Sequence, residues 1–167
     1  EAKMQAALSL QRADDVEQYT RRNNVRVFGI PESATEDCET KVLDLFNNKL
    51  GLSLTSADIE AAHRVGRPLQ PRQRDGDNDS DSDDEQRPRA VIVRFISRKS
   101  VYAVLSNRRK LKNTRLVIAE DLPVAKYQLL MKCRNHDNVD NAWSSSGKIL
   151  VRCKADNRIR EIKSASE

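Results

Sequence analysis

Two short segments with alternating apolar residues constrain this chain most, because each is followed by residues with helical spacing. The segments cover residues 24–31, which end at a proline, and residues 90–95. Alternation with a period of two is typical of a strand that buries one face. We therefore predict two strands with a shared core, whose inward side chains are Val25, Val27, Val91, Val93 and Phe95.

The segments between and after these strands predict two helices and two more strands. Ser33 and Glu36 form a capping-box pattern before an amphipathic stretch, so we expect a helix over residues 33–50. Ser97 is the expected N-cap of a second helix, and residues 59–65 and 116–119 are the expected second and fourth strands. The resulting β-α-β-β-α-β order is that of ferredoxin-like folds and RNA-recognition modules. We expect an α+β protein with the strand order β4-β1-β3-β2.

The two ends of the chain predict further elements. Residues 1–23 contain no Pro or Gly and indicate a coiled-coil helix with self-associating residues Met4, Leu8, Val16 and Tyr19. The alternative is that this helix packs on its own domain. Pro123 is expected to open another helix, and residues 144–147 to turn a β-hairpin. The predicted domains are thus a coiled-coil helix (1–23), a non-canonical RNA-recognition-motif domain (24–121) and a small helix-plus-hairpin domain (122–167).

Charge is distributed unevenly along the chain, although the net charge is only +5. Residues 75–85 carry seven acidic residues, and residues 87–167 carry 19 basic against seven acidic ones. We predict a disordered acidic loop over residues 67–87, with Ser80 and Ser82 as candidate phosphorylation sites. A concentrated basic half favours a polyanionic partner, and ordinary solubilising surface is the alternative.

Several classes of protein do not fit this sequence. It contains no apolar run of membrane-spanning length, and its three cysteines are too few and too widely spaced for a disulfide framework. The spacing of Cys133 and His136 matches only half of a zinc site, and no catalytic triad or phosphate-binding glycine loop is evident. We expect a soluble, intracellular protein without enzymatic activity, metal or cofactor, and because residue 1 is not Met we expect it to be part of a longer chain.

The outward face of the predicted sheet indicates how a nucleic acid could bind. Alternation leaves Arg26, Phe28, Ile92 and Arg94 on that face, unless Phe28 and Ile92 pack beneath the C-terminal domain. Seven aromatic residues in 167 provide few stacking platforms, so we predict backbone-dominated, weakly sequence-selective binding of single strands. The candidate contacts from this reasoning are Arg26, Arg64, Arg94, Arg108, Arg109, Lys148 and Arg152.

Four blocks of sequence resemble the first-open-reading-frame protein of LINE-type non-LTR retrotransposons. They are residues 19–32, 62–66, 88–95 and 120–122. Residues 143–164 look more similar to the C-terminal domain of the baculovirus few-polyhedra protein. The chain therefore resembles two families at once, and the first resemblance covers nearly its whole length.

The resemblance to the retrotransposon family implies a function and a set of partners. It implies a nucleic-acid chaperone that packages single-stranded RNA into cytoplasmic ribonucleoprotein particles, with the nucleus as a second location. It also implies a trimer rather than a dimer, whereas the few, irregular heptads alone leave that choice open. By position, Arg89, Arg94 and Arg109 match expected RNA contacts, and Lys126 or Lys132 would replace a missing one. The alternative, from the second resemblance, is a coiled-coil protein-interaction adaptor that binds polyanions incidentally.

Overall fold

The protein, described by a computed structural model over residues 2–67 and 87–164, is a mixed α+β chain. The helices are α1 (Ala2–Arg21), α2 (Cys38–Asp44), α3 (Arg98–Asn107) and α4 (Val124–Arg134). The strands are β1 (Asn24–Phe28), β2 (Ile59–Arg64), β3 (Val91–Phe95), β4 (Val117–Glu120), β5 (Val139–Ser145), β6 (Lys148–Cys153) and β7 (Ile159–Ile162). The predicted acidic loop, with Ser80 and Ser82, lies outside the described residues apart from its two ends.

Contacts between residues divide the chain into two compact units. The central unit is Val25–Ala119, and the terminal unit combines the described residues up to Asn24 with those from Glu120 onward. The sequence-based division treated α1 as a segment of its own, whereas the contacts group it with the C-terminal residues. None of the helices in residues 2–67 and 87–164 has both the length and the hydropathy that a membrane span requires.

The central unit is built on a four-stranded sheet with the order β2-β3-β1-β4. β2 and β3 are antiparallel, and Ala62 lies opposite Val93. All five predicted inward side chains are fully buried, together with Val42 of α2 and Val101 and Val104 of α3 in one hydrophobic cluster. Both helices therefore cover the inner face of the sheet, because their apolar residues share its core.

The beginning of α2 differs from the prediction. The helix begins at Cys38 instead of residue 33, and its N-cap is Asp37, whose carboxylate accepts a hydrogen bond of 3.1 Å from the Glu39 backbone N–H. Ser33 instead accepts a hydrogen bond from Lys41. The predicted capping box was wrong because Glu36, its second member, is paired with a guanidinium from another element. By contrast, Ser97 caps α3 as predicted.

The guanidinium of Arg64 is the partner of Glu36, and it is buried at the end of β2. Nε lies 2.7 Å from one oxygen of Glu36 and Nη2 lies 2.8 Å from the other. The same group donates to the backbone carbonyls of Ile30, Pro31 and Arg89, over 2.6–2.9 Å. The Arg64 side chain is only 5% exposed, and its N–H groups are satisfied by protein groups. The arginine thus joins β2 to the connection between β1 and α2 and to the residues just before β3.

The terminal unit contains α4 and a three-stranded sheet with the order β5-β6-β7. The predicted hairpin is confirmed: β5 and β6 are antiparallel and are joined at Ser146 and Gly147, whose φ angles of 51° and 76° suit a tight turn. No pattern in the sequence predicted β7, whose four residues are mostly exposed. A second hydrophobic cluster lies between α4 and this sheet, formed by Leu122, Leu130, Cys133, Ala142, Ile149 and Val151.

One buried carboxylate, Asp121, ties the end of α1 to the rest of the terminal unit. Its side chain is 1% exposed and accepts hydrogen bonds from Arg21 Nη1 at 3.2 Å and Asn24 Nδ2 at 3.0 Å. Lys126 of α4 also lies 3.5 Å from Asp15 of α1. These polar contacts connect the C-terminal half of α1 to the rest of its own unit, and its self-association stays a prediction.

We expect the substitution Arg64→Met to lower the free energy of unfolding by about 3 kcal/mol, because it leaves the Glu36 carboxylate buried without its main partner. Chemical denaturation at pH 7 would measure the change. Arg109→Met is the matched control, because Arg109 is exposed and should change stability by less than about 0.5 kcal/mol. Equal stability of the two variants would contradict a structural role for Arg64.

The same pair predicts a pH dependence. The hydrogen bonds from Arg64, and to a lesser extent that from Lys41, lower the pKa of Glu36 from 4.5 to about 2, against an opposing effect of burial. A carboxyl whose pKa is depressed in the folded state stabilises that state above its unfolded pKa and loses this contribution as the pH falls. At pH 7 we expect the free energy of unfolding of wild type to exceed that of Glu36→Gln by about 2 kcal/mol. Chemical denaturation at several pH values should show this difference in free energy disappearing between pH 4.5 and 2. A difference that stays constant with pH would argue against the ion pair.

Candidate functional site

The outward face of the central sheet is the first candidate surface. We call it the outer sheet face and define it by the side chains that alternate with the buried ones: Arg26, Phe28, Ala61, His63, Ile92 and Arg94. In β2 and β3, His63 lies opposite Ile92 and Ala61 lies opposite Arg94. The surface therefore combines apolar and cationic groups. Among the described residues that define this face, Phe28 is the one with an aromatic ring, and it is 38% exposed.

Arg94 is the most accessible of the predicted arginines on this face. Its Nε lies 2.8 Å from a carboxylate oxygen of Glu60, and both side chains are 55% exposed. The strand register shifts between Ile59 and Ala61, and Glu60 lies at that irregularity. An ion pair so open to water contributes at most about 1 kcal/mol, so an incoming anion can replace Glu60 at small cost.

Arg26 lies half-buried on β1, the strand next to β3 in the sheet. Like charges on the same face of neighbouring strands destabilise a sheet unless an anion lies near them. Arg26 and Arg94 thus place two cationic side chains on the outer sheet face, where Glu60 already lies beside Arg94.

The structure shows both Arg64 and Arg89 bound to carboxylates of the central unit. Arg64 is buried in the cluster described above, which corrects its prediction as a nucleic-acid contact. Arg89 is 21% exposed and pairs with Glu32, with Nη2 and Nε lying 2.9 and 3.1 Å from the same carboxylate oxygen. These hydrogen bonds from Arg89 lower the pKa of Glu32. Arg89 therefore holds the chain before β3 against the segment after β1, and its expected RNA contact stays a prediction.

Arg108 and Arg109 lie on a 3₁₀ turn, Arg108–Leu111, that continues α3. Arg108 is half-buried and Arg109 is exposed. The neighbouring Lys110 donates a 2.6 Å hydrogen bond to the backbone carbonyl of Leu50, so it caps the helical segment after α2. Since α3 covers the inner face of the sheet, the predicted contacts do not all belong to one surface.

Three of the predicted cations of the terminal unit, Lys126, Lys148 and Arg152, each lie near a carboxylate, whereas Lys132 is exposed on α4. Lys148 on β6 lies 3.3 Å from Glu161 on β7, and Arg152 lies 3.9 Å from Asp140 on β5. Lys126 is 22% exposed beside Asp15. The short hairpin strands therefore bring together opposite charges that are far apart in the sequence, and this surface is less positive than the basic count suggested.

The predicted self-association residues lie on α1 with their side chains in solvent. Met4, Leu8, Val16 and Tyr19 are between 50% and 69% exposed. The Tyr19 ring is covered on one face by the guanidinium of Arg22, 3.8 Å from the ring centre. These residues are available to another helix, and Leu10, which the sequence reasoning missed, is 67% exposed as well.

The described residues offer little for catalysis or metal binding. Within them, no group of three or more His, Cys, Asp or Glu side chains could hold a metal ion. Burial raises the pKa of the Cys38 and Cys133 thiols, which disfavours the thiolate that a nucleophile requires. His63 lies exposed on the outer sheet face. The accessible charge of the central unit thus points to binding of an anion.

The comparisons with known proteins assign no family. No protein-family model matches the chain, and a search of curated proteins finds no match.

Proposed function

We propose that this protein is an oligomeric single-stranded RNA- or DNA-binding protein and nucleic-acid chaperone, without enzymatic activity. In this proposal the central unit is an RNA-recognition-type domain that binds the phosphate backbone through its outer sheet face. The observation that carries the proposal is the exposed, weakly held guanidinium of Arg94, which shares the outer sheet face with Phe28 and Ile92. The strand order β2-β3-β1-β4 supports it, because the two middle strands of that sheet are the ones that carry these residues.

The composition of the outer sheet face favours weak sequence selectivity. Arginine pairs with phosphate in a bidentate way and also stacks on bases, whereas a single exposed aromatic ring cannot read several bases. The resemblance to retrotransposon proteins supplies the proposed ligand, an RNA transcript packaged into cytoplasmic ribonucleoprotein particles. On this view Arg94 exchanges Glu60 for a phosphate when RNA binds.

The alternative is a protein-interaction adaptor of the few-polyhedra type. The ion-paired cations of the terminal unit favour it, because Lys148 and Arg152 already face carboxylates. The two proposals differ in one measurable property, since an adaptor would bind single-stranded RNA weakly or not at all at low salt.

Opposite changes in RNA affinity are expected from the two members of the Arg94–Glu60 pair. Arg94→Ala should weaken binding of a mixed-sequence RNA about fivefold and reduce the slope of log affinity against log salt by about 0.7, the value for one lost phosphate contact on a single strand. Glu60→Gln should strengthen binding, because it removes the carboxylate that competes with phosphate. Fluorescence anisotropy of a labelled RNA at several salt concentrations would measure both.

The outcomes of this titration separate the proposals. Both side chains are 55% exposed, so neither substitution should disturb the fold, which circular dichroism would check. Equal RNA affinities for wild type and both variants would show that the outer sheet face does not bind the RNA. Absence of binding even at low salt would favour the adaptor.

Self-association through α1, with a trimer favoured over a dimer, is the second part of the proposal. It is supported by the apolar residues that α1 leaves in water, which would gain burial in a bundle of helices. We expect Leu8→Lys to lower the molar mass measured by sedimentation equilibrium towards that of a single chain. Ala13→Lys, an exposed position that lies five residues after Leu8 and therefore on another side of the same helix, should leave it unchanged, and a monomeric wild type would contradict this part.

A further inference from the structure

The solvent side of α3 carries a group of residues that neither the sheet nor the core uses. Lys99, Tyr102, Ser106 and Arg109 follow one another at intervals of three or four, which places them on one side of a helix. All four are exposed, and Tyr102 is 74% exposed, more than any other apolar or aromatic side chain of the described residues. We call this group the α3 stripe; along the helix axis it is roughly 15 Å long.

The α3 stripe lies in the most one-sided stretch of charge in the described chain. Residues 98–115 contain seven Lys and Arg and no Asp or Glu. Lys99 and Arg109 take part in no ion pair within residues 2–67 and 87–164. A solvated helix face normally mixes both signs of charge. This face instead presents two unpaired cations with a phenol ring between them.

The α3 stripe and the outer sheet face point in opposite directions. Val101 and Val104 of α3 are buried in the same cluster as Val27 and Val93 of the sheet. The residues of the α3 stripe lie on the other side of the helix, whereas the outer sheet face lies on the other side of the sheet. At least the thickness of a helix, about 10 Å, and that of the sheet separate the two surfaces, so a short strand on one cannot contact the other.

We propose that the α3 stripe is a second binding surface for single-stranded nucleic acid, so that one central unit holds two strands at once. The ligand chemistry follows from the residues, because phosphates suit Lys99 and Arg109 and a base can stack on the Tyr102 ring. Holding two strands on one protein raises their effective concentration for each other, which is how a chaperone without enzymatic activity promotes annealing. This inference rests on the proposed function and adds the second strand to it.

The test is the number of short strands bound per chain. An RNA of about ten nucleotides, within the site size of one small binding domain, would be titrated into the full chain at low salt and counted by sedimentation velocity with two-wavelength detection. We expect two strands per chain for wild type and one for Lys99→Ala combined with Tyr102→Ala. Tyr102→Phe keeps the stacking ring and should retain two strands.

The possible outcomes distinguish this inference from the proposed function. Two strands on both wild type and the double variant would overturn the α3 stripe as the second surface. If wild type binds one strand per chain and Arg94→Ala weakens that binding, the second surface is overturned and the proposed function stands. No bound strand on wild type would remove both. Counting strands per chain makes the result independent of self-association, because an oligomer of single-site chains still binds one strand per chain.

Discussion

The buried guanidinium of Arg64 is the contact on which the arrangement of the central unit depends. It donates two hydrogen bonds to the Glu36 carboxylate. Its other N–H groups donate to the backbone carbonyls of Ile30, Pro31 and Arg89, so none is left for a ligand at the surface. These partners lie after β1, before α2 and before β3. One charged group thus fixes the positions of two connecting segments, the one between β1 and α2 and the one before β3, where backbone carbonyls would otherwise be left without partners.

The basic side chains of this protein fall into two groups, according to whether their carboxylate partner is buried or is exposed or absent among the described residues. Those with a buried or partly buried carboxylate partner, Arg64 and Arg89, shape the fold, because each joins segments that are distant in the sequence. Arg94, whose partner is as exposed as it is, and Lys99 and Arg109, which have no ion-pair partner in the described part of the chain, are the ones that a phosphate can engage. This division gives a physical criterion for choosing interface residues in a chain with 30 basic side chains.

Much of the fold could be predicted, because it depends on local patterns. The period-two alternation correctly identified every inward residue of β1 and β3, and Ser97 was correctly placed as the cap of α3. The errors occurred where distant contacts compete with local ones. The Ser33–Glu36 capping box fits the local pattern, yet Glu36 gains more from Arg64, which lies 28 residues away. Likewise, β7 has no apolar pattern of its own and forms by hydrogen bonding to β6.

By itself the sequence determined the order of the strands and helices, their buried faces and the excess of positive charge. Only the tertiary structure decided which charges remain available, because the partner of each arginine is brought near it by folding and not by sequence spacing. It also decided that Arg94 and Arg109 lie on opposite sides of one unit. Alternate residues of the sheet point away from the core on its outer face. The helix that packs on the inner face exposes its polar side to solvent in the opposite direction.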